Sequence, residues 1–245
     1  MTGKTFTILN ETDSSNNYAS NLILSGNAIH GDAVFAKHQT KGKGQRGKLW
    51  NDESGKNIAL SVMLEMAGIQ SDKQFGLIAT VALSVFDIIK KYTSDEAKIK
   101  WPNDIYWRDR KAVGILIENK FSGQFWQWAI AGMGVNVNQT QFDDALKAKA
   151  VSLKQITGKE FDCIELAKEM HGRLLERFDQ LKNSNSEEIL KEYNYNLYKK
   201  EEEVQIIYKN EKYKTVVRQA DESGNLWMDN APQPYFTFGE IEWVL

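Results

Sequence analysis

The residues best suited to chemistry lie in a short segment dense in lysine and glycine, KHQTKGKGQRGK, which runs from Lys37 to Lys48. It holds four lysines, one arginine and no acidic residue, although the 245-residue chain has a formal net charge of only −2. Its glycines, Gly42, Gly44 and Gly47, let the backbone bring N–H groups close to a ligand. The segment predicts a cradle for an anion such as phosphate, with a solvated basic turn as the alternative.

Two familiar nucleotide-binding patterns do not account for the glycines of this chain. Residues 42–48 satisfy most of the P-loop pattern, but Leu49 stands where that pattern needs a serine or threonine to bind Mg²⁺. Gly132 and Gly134 supply only two of the three glycines of the dinucleotide-binding fingerprint. The sequence therefore argues against a P-loop NTPase and gives no support to a dinucleotide fold.

A second cluster is the run KWPND, which ends at Asp104, together with Lys111 just beyond it. Pro102 removes a backbone donor and ends the preceding strand, so Asn103 and Asp104 are expected at a strand end. The apolar strand after Lys111 favours a partly desolvated ammonium that pairs with an anionic substrate. An exposed hairpin lysine is the alternative. The polar run DSSN at 13–16 predicts a helix cap or a surface for a polar small molecule.

Composition narrows the class of protein. A length of 245 residues fits one large domain, or one with a small appendage, and hydrophobic residues at 42% of the chain are enough for a real core. Because 31 basic residues are balanced by 33 acidic ones, bulk charge does not favour nucleic-acid binding. The single Cys163 excludes an internal disulfide, and the three histidines lack zinc-ligand spacing. With no signal core and no apolar run near the roughly 18 residues of a membrane span, we expect a soluble cytoplasmic protein.

Hydrophobic periodicity predicts an α+β main domain at 1–195 and a small all-β domain at 196–245. In the main domain, strands are predicted over Thr5–Leu9, Asp32–His38, Asn57–Leu64, Lys98–Trp101, Lys111–Glu118 and Phe125–Asn138. Helices are predicted over Asp72–Lys91 with a Ser71–Gln74 capping box, over Asp162–Lys182, and after Ser186. In the small domain, short strands are predicted over Val204–Tyr208, Lys212–Ala220, Leu226–Met228 and Tyr235–Val244.

Five motifs stand in a fixed order over about residues 5–140: DSSN, QxxGKGxRG, KWPND, RKxxGILxE and GxGxN. Their types and order resemble the biotin protein ligase family, and the segment FGE ending at Glu240 is similar to that family's C-terminal SH3-like domain. The resemblance implies a class II synthetase-like fold, with a mixed central sheet and flanking helices, plus a small C-terminal SH3-like β-barrel.

The resemblance also implies a two-step reaction that uses biotin and ATP with Mg²⁺. Biotin and ATP would form biotinyl-5′-AMP, and a lysine of a biotin carboxyl carrier domain would then take the biotinyl group. Because the motifs begin near residue 5, we expect a short form without the helix-turn-helix domain of some members, and hence no DNA partner. No membrane partner is expected. The resemblance leaves open whether the chain is a monomer or a homodimer, and which residues bind Mg²⁺.

Carried over position by position, the motifs imply roles for individual residues. Biotin-binding positions are Ser14, Ser15, Asn16, Gln39, Gly42, Lys43, Gly44, Gln45, Lys111 and Gly114. ATP-binding positions are Arg46, Trp50, Asn103 and Asn136, and the implied catalytic residues are Lys111, Lys43 and Asp104. Three positions depart from the commoner family residues: Ser15 replaces threonine, while Lys43 and Gln45 replace arginine. Because Gln45 lacks a charge, we expect the adenylate to be held less tightly, unless Lys41 or Lys48 compensates.

Two other functions compete with biotin ligation. A lipoate ligase or octanoyltransferase would share the fold, but the glycine-rich segment followed by His-Asp that is expected there is missing. A non-catalytic biotin-binding module is favoured only by Gln45, and Lys111 argues against it.

Overall fold

The computed structural model describes residues 4–51, 53–70, 73–183 and 186–244, and these form two sheets with five helices packed around the first. The first sheet contains β1 (Phe6–Leu9), β2 (Ala33–Ala36), β3 (Ile58–Glu65), β4 (Ala97–Lys100), β5 (Asp104–Trp107), β6 (Arg110–Ser122) and β7 (Phe125–Val135). The helices are α1 (Ser15–Leu24), α2 (Gln74–Thr93), α3 (Leu153–Thr157), α4 (Cys163–Asn183) and α5 (Ser186–Tyr195). The predicted α+β class is confirmed.

The first sheet is mixed, in the order β1-β2-β3-β7-β6-β5-β4, with β1 parallel to β2 and the other neighbours antiparallel. Its two faces differ because side chains alternate along each strand. In β3, Leu60 and Val62 pack in the large core shared with α2 and α4, whereas Met63 packs beneath α1 with Val34 and Ile130. One face is thus covered by the long helices, and the other is left partly open beside α1.

The second sheet is antiparallel, with β8 (Glu203–Tyr208), β9 (Glu211–Ala220), β10 (Leu226–Asp229), β11 (Tyr235–Phe236) and β12 (Glu242–Val244) in the order β11-β10-β9-β8-β12. It is joined to the main body by Trp101, whose indole Nε1 donates to the Gly224 carbonyl oxygen at 2.9 Å. Helix α5 ends at Tyr195, and the second sheet begins after it. That residues 1–195 and 196–245 are separate domains stays a prediction.

Most predicted elements are present with shifted ends. The hairpin of β6 and β7 is confirmed, and Asp162 accepts the Ile164 and Glu165 N–H groups at the start of α4 as expected of a cap. The sequence interpretation did not predict β5 or α3. For α1 it predicted only a possible helix cap at residues 13–16 and did not predict the helix that follows. It also merged β11 and β12 into one strand, although Gly239 (φ +92°) turns the chain between them.

The predicted Ser71 cap and Asp72 start of α2 lie outside the described residues. Within the described ranges, no helix combines the length and the apolar character needed to cross a bilayer.

Two histidines beside the first sheet predict a pH dependence of stability. His30 Nδ1 accepts the Glu65 N–H at 3.0 Å, and His171 Nε2 lies 2.7 Å from the Gly31 carbonyl oxygen. Burial lowers the pKa of both imidazoles below their ordinary value of 6.5. Because the folded state then binds fewer protons than the unfolded chain, their stabilisation is present above about pH 6.5 and is lost as the pH falls through the folded pKa.

We therefore expect the urea midpoint to fall as the pH is lowered from about 7 to about 5. The double variant His30→Gln/His171→Gln is expected to show a flatter dependence over that range. A variant curve as steep as that of the wild type would contradict the assignment to these two imidazoles.

Candidate active site

An open cleft lies on the face of the first sheet that the long helices leave uncovered, with about 450 Å³ of empty space that includes open solvent at its mouth. Its floor is made of glycines, because Gly114 of β6 pairs with Gly134 of β7 and Leu116 pairs with Gly132. Glycine at these positions lets other groups approach the sheet closely. The lining residues are Ser14, Ser15, Asn16, Gln39, Lys43, Gly44, Gln45, Trp50, Ala59, Lys111, Gly114, Ile115, Leu116, Gly132, Met133 and Gly134.

One end of the cleft is a network of hydroxyl and amide groups at the start of α1. The Ser15 N–H donates to Gln39 Oε1 at 2.8 Å, and the Ser15 hydroxyl lies 3.1 Å from the same oxygen. Ser61 Oγ lies 2.6 Å from Asn16 Oδ1, and Asn16 Nδ2 donates to Glu118 Oε2 at 2.7 Å. These partners fix the direction of each donor and acceptor, as recognition of a polar ring system requires.

The other end carries the ion pair of Lys111 and Asp104, whose Nζ and Oδ2 atoms are 2.7 Å apart. A β-bulge opposite the Ile105–Tyr106 step brings Lys111 to the cleft side. Without the extra residue, strand alternation would place Lys111 on the helical face with Val113. Asn136 Nδ2 donates to the Lys111 carbonyl oxygen at 3.3 Å and holds the backbone of this lysine.

The basic segment forms a small loop over the cleft, closed by hydrogen bonds between its two arms. The Gly44 N–H donates to the Lys48 carbonyl at 2.7 Å, and the Trp50 N–H donates to the Gly42 carbonyl at 2.9 Å. Gln45 then ties the loop to the sheet. Its Nε2 donates to Asn103 Oδ1 at 2.5 Å and to the Ile115 carbonyl oxygen at 2.9 Å.

The indole of Trp50 lies on the glycine floor inside the cleft. A Cβ atom at Gly134 would come within 2.5 Å of the indole, and one at Gly114 within 2.8 Å. The indole Nε1 is buried and has no hydrogen-bond partner among the described residues. Next to it in the loop, Arg46 is exposed and packs against the backbone of Gly239 in the C-terminal segment.

Lys100 is a further cation near this end of the cleft. Its backbone lies opposite that of Asp104 in the β4–β5 ladder. Its ammonium lies 5.0 Å from the ring centroid of Tyr106 and 5.1 Å from that of Trp243. Burial lowers the pKa of Lys100 to about 8, against the opposing effect of Asp104. The sequence interpretation quoted this lysine within KWPND but gave it no role.

The structure thus brings most of the implied site residues to one cleft. Those that line it are Ser14, Ser15, Asn16, Gln39, Lys43, Gly44, Gln45, Trp50, Lys111 and Gly114. Of the others, Gly42 and Asn103 accept hydrogen bonds that hold the loop, Asp104 pairs with Lys111, and Asn136 donates to the Lys111 carbonyl. Arg46 is exposed in the loop, near Gly239. The sequence interpretation gave no role to Glu118 and Ser61, which hydrogen-bond to Asn16 in the cleft network. Glu118 was available as the last residue of its motif, whereas Ser61 is marked only by a hydroxyl in a buried strand.

Comparison with known proteins adds to this geometry. Residues 9–136, more than half of the chain, match the biotin/lipoate A/B protein ligase family. The chain belongs to this family. The chain is 34% identical over 158 residues to the bifunctional ligase/repressor BirA of Bacillus subtilis. The aligned region covers 63% of this chain and 48% of BirA. The chain is 33% identical over 162 residues to the biotin--[acetyl-CoA-carboxylase] ligase of Paracoccus denitrificans, covering 63% and 65% respectively.

Structural similarity extends the match to nearly the whole ligase-family chain. The biotin protein ligase from Aquifex aeolicus in complex with biotin and ATP superposes with a TM-score of 0.78 at 26% identity, covering 99% of this chain and 96% of that one. The chain spans about half the length of the BirA relatives that it matches.

Proposed function

We propose that the protein is a biotin protein ligase, which uses ATP to join biotin to a lysine of a biotin carboxyl carrier domain. The observation that carries this proposal is the cleft itself, with a hydroxyl and amide network at one end and Lys111 at the other. An end rich in hydroxyl and amide groups suits the ureido ring of biotin, and a cationic end suits its carboxylate and a phosphate. Relatives named as biotin ligases, and a solved relative with biotin and ATP, support the same conclusion.

In the first step, a carboxylate oxygen of biotin attacks the α-phosphorus of ATP, and pyrophosphate leaves. Both reactants are anionic, so cations must lower their repulsion before the atoms can meet. We assign this work to Lys111, held in place by Asp104 and by the Asn136 amide. We propose that the basic loop, which contributes Lys43 and Gly44 to the cleft lining, shields the reactive anhydride from water once the ligands are bound.

In the second step, the carrier's ε-amine attacks the biotinyl carbonyl carbon. The C–O bond to the phosphate breaks, AMP leaves with the electron pair, and the nitrogen loses a proton as the amide forms. We propose that Arg46 and Trp50 contact the nucleotide and that residues 196–245 form the SH3-like domain. We propose a cytoplasmic location, where ATP is available for this reaction.

The donor atoms near the ion pair fit a Mg²⁺ ion bound together with ATP. Asp104 Oδ1 is buried and has no hydrogen-bond partner in the described part of the chain, while Oδ2 faces Lys111. Proteins commonly bind Mg²⁺ through one or two carboxylates together with substrate phosphates, which this arrangement matches. We propose Asp104 as the protein ligand, and the ion when bound would neutralise phosphate charge.

The test is acid-dependent exchange of pyrophosphate into ATP, with biotin, lipoate and octanoate compared in parallel. Exchange that requires biotin would support the proposal. Exchange with lipoate or octanoate alone would reassign the protein to the other branch of its family. Biotin binding without any exchange would identify a non-catalytic biotin-binding module.

Gln45 predicts an unusually fast loss of the adenylate. Its amide ties the loop to Asn103 and Ile115 but carries no charge toward a phosphate. Since charge-assisted hydrogen bonds contribute about 1.5–3 kcal/mol, Gln45→Arg is expected to slow adenylate release by roughly tenfold. Release of radiolabelled biotinyl-AMP on rapid dilution measures this rate. Gln45→Met, which removes the tether without adding charge, serves as the control, and an unchanged rate in the arginine variant would refute the idea.

A further inference from the structure

The loop residue Lys43 forms an ion pair with Glu118, a residue that has no role in the proposed reaction steps. Lys43 Nζ lies 3.4 Å from Oε1 of Glu118, on β6. The other carboxylate oxygen, Oε2, accepts a hydrogen bond from Asn16 Nδ2 at 2.7 Å. Glu118 therefore contacts the loop with one oxygen and the amide end of the cleft with the other.

The two contacts of Glu118 differ in strength. The ion pair with Lys43 is long, and both side chains are accessible, with 41% of Lys43 and 30% of Glu118 exposed. Ion pairs of this kind contribute little because water screens them. The hydrogen bond to Asn16 is short, and Asn16 is buried. An incoming anion can thus displace the Lys43 contact while the Asn16 contact stays in place.

The loop does not depend on this ion pair for its position. Gln45 holds it to the sheet through two hydrogen bonds, and Trp50 closes its base on Gly42. The flexible stem of Lys43 can therefore change partners without movement of the loop backbone. Lys43 lines the same cleft as Asn16 and Lys111, so its long stem can turn from Glu118, beside Asn16, toward the Lys111 end where the ligand carboxylate would lie.

We propose that Glu118 is a positioning residue that holds Lys43 in the ligand-free cleft and releases it to the carboxylate of biotin. Throughout this exchange, its second oxygen keeps the Asn16 amide oriented toward the cleft. This inference rests on the proposed function, because it requires biotin as the ligand. Glu118 then competes with the ligand for Lys43, so the wild-type protein binds biotin less tightly than an uncharged variant would.

The test is biotin binding by isothermal titration calorimetry for the wild type, Glu118→Gln, Lys43→Gln and the double variant. Glutamine at 118 keeps an oxygen for Asn16 but removes the competing charge. We expect Glu118→Gln to lower the biotin Kd about two- to fivefold, the range of a partly exposed ion pair. In the Lys43→Gln background the same change is expected to have no effect, because no lysine remains to be released.

The double variant separates this proposal from simpler ones. An equal decrease in Kd in both backgrounds would mean that Glu118 only repels the ligand, and an unchanged or increased Kd in Glu118→Gln would mean that it does not compete at all. Either result overturns the inference while leaving the proposed function intact. Absence of biotin binding by the wild type would overturn the proposed function, and this inference with it. Thermal melting of each variant checks that the fold is kept.

Discussion

Replacement of Lys111 by alanine is expected to reduce biotin-dependent ATP–pyrophosphate exchange by about 10²–10³-fold, the usual effect of removing one group that stabilises charge in a transition state. Lys111 is the cleft cation best held in place. Its ammonium pairs with Asp104 at 2.7 Å, a bulge directs its side chain to the cleft, and Asn136 fixes its carbonyl. The exchange assay at saturating ATP and biotin, together with the biotin Kd, measures the loss.

Two variants control for charge and for folding. Lys111→Arg keeps the positive charge but changes its shape, so it is expected to retain more activity than alanine. Lys120→Ala removes a lysine from the same strand outside the cleft lining and is expected to stay within about twofold of the wild type. If Lys111→Ala exchanged pyrophosphate as fast as Lys120→Ala, Lys111 would have no part in the first step.

Most residues of the cleft could be predicted from the sequence because they lie in short motifs whose types and order resemble the biotin protein ligase family, whereas Ala59 lies in none of these motifs. Strand alternation also placed the apolar residues of β6 on a sheet, and the structure agrees. The pairing of the charges could not be predicted in the same way. Lys43 meets Glu118 across 75 positions of the chain, and Asn16 meets Glu118 across 102. Such pairs are set by strand order and register, which local patterns do not specify.

The missed strand β5 shows a second limit of local patterns. Its four residues begin at Asp104, two positions after Pro102, where proline indicates the end of a strand and not the start of another. The bulge between β5 and β6 was equally invisible in the sequence, although it decides which face Lys111 occupies. The site therefore depends on two features of tertiary pairing that no single motif encodes.

Loss of the ion pairs of Arg177, in the helical layer opposite the cleft, is expected to lower the stability of the fold strongly without changing the catalytic activity. Arg177 of α4 is 10% exposed and donates to Asp87 of α2, at 2.9 and 3.0 Å, and to Glu192 of α5, at 2.5 and 2.7 Å. These hydrogen bonds lower the pKa of the Glu192 carboxyl, so the stabilisation is present above its ordinary pKa of 4.5 and lost as the pH falls below it.

Arg177→Leu leaves two neighbouring carboxylates without their shared partner, and removing one member of a buried ion pair typically costs about 3–5 kcal/mol. Because 41% of Glu192 is exposed, we expect the lower end, about 3 kcal/mol, and a Tm lower by roughly 6–12 °C. Arg173→Ala, which removes a more exposed partner of Asp87, is expected to cost less than about 1 kcal/mol. Since the network lies on the helical face, both variants are expected to keep wild-type exchange at 25 °C. A loss of exchange in Arg177→Leu as large as that in Lys111→Ala would show instead that the helical layer shapes the cleft.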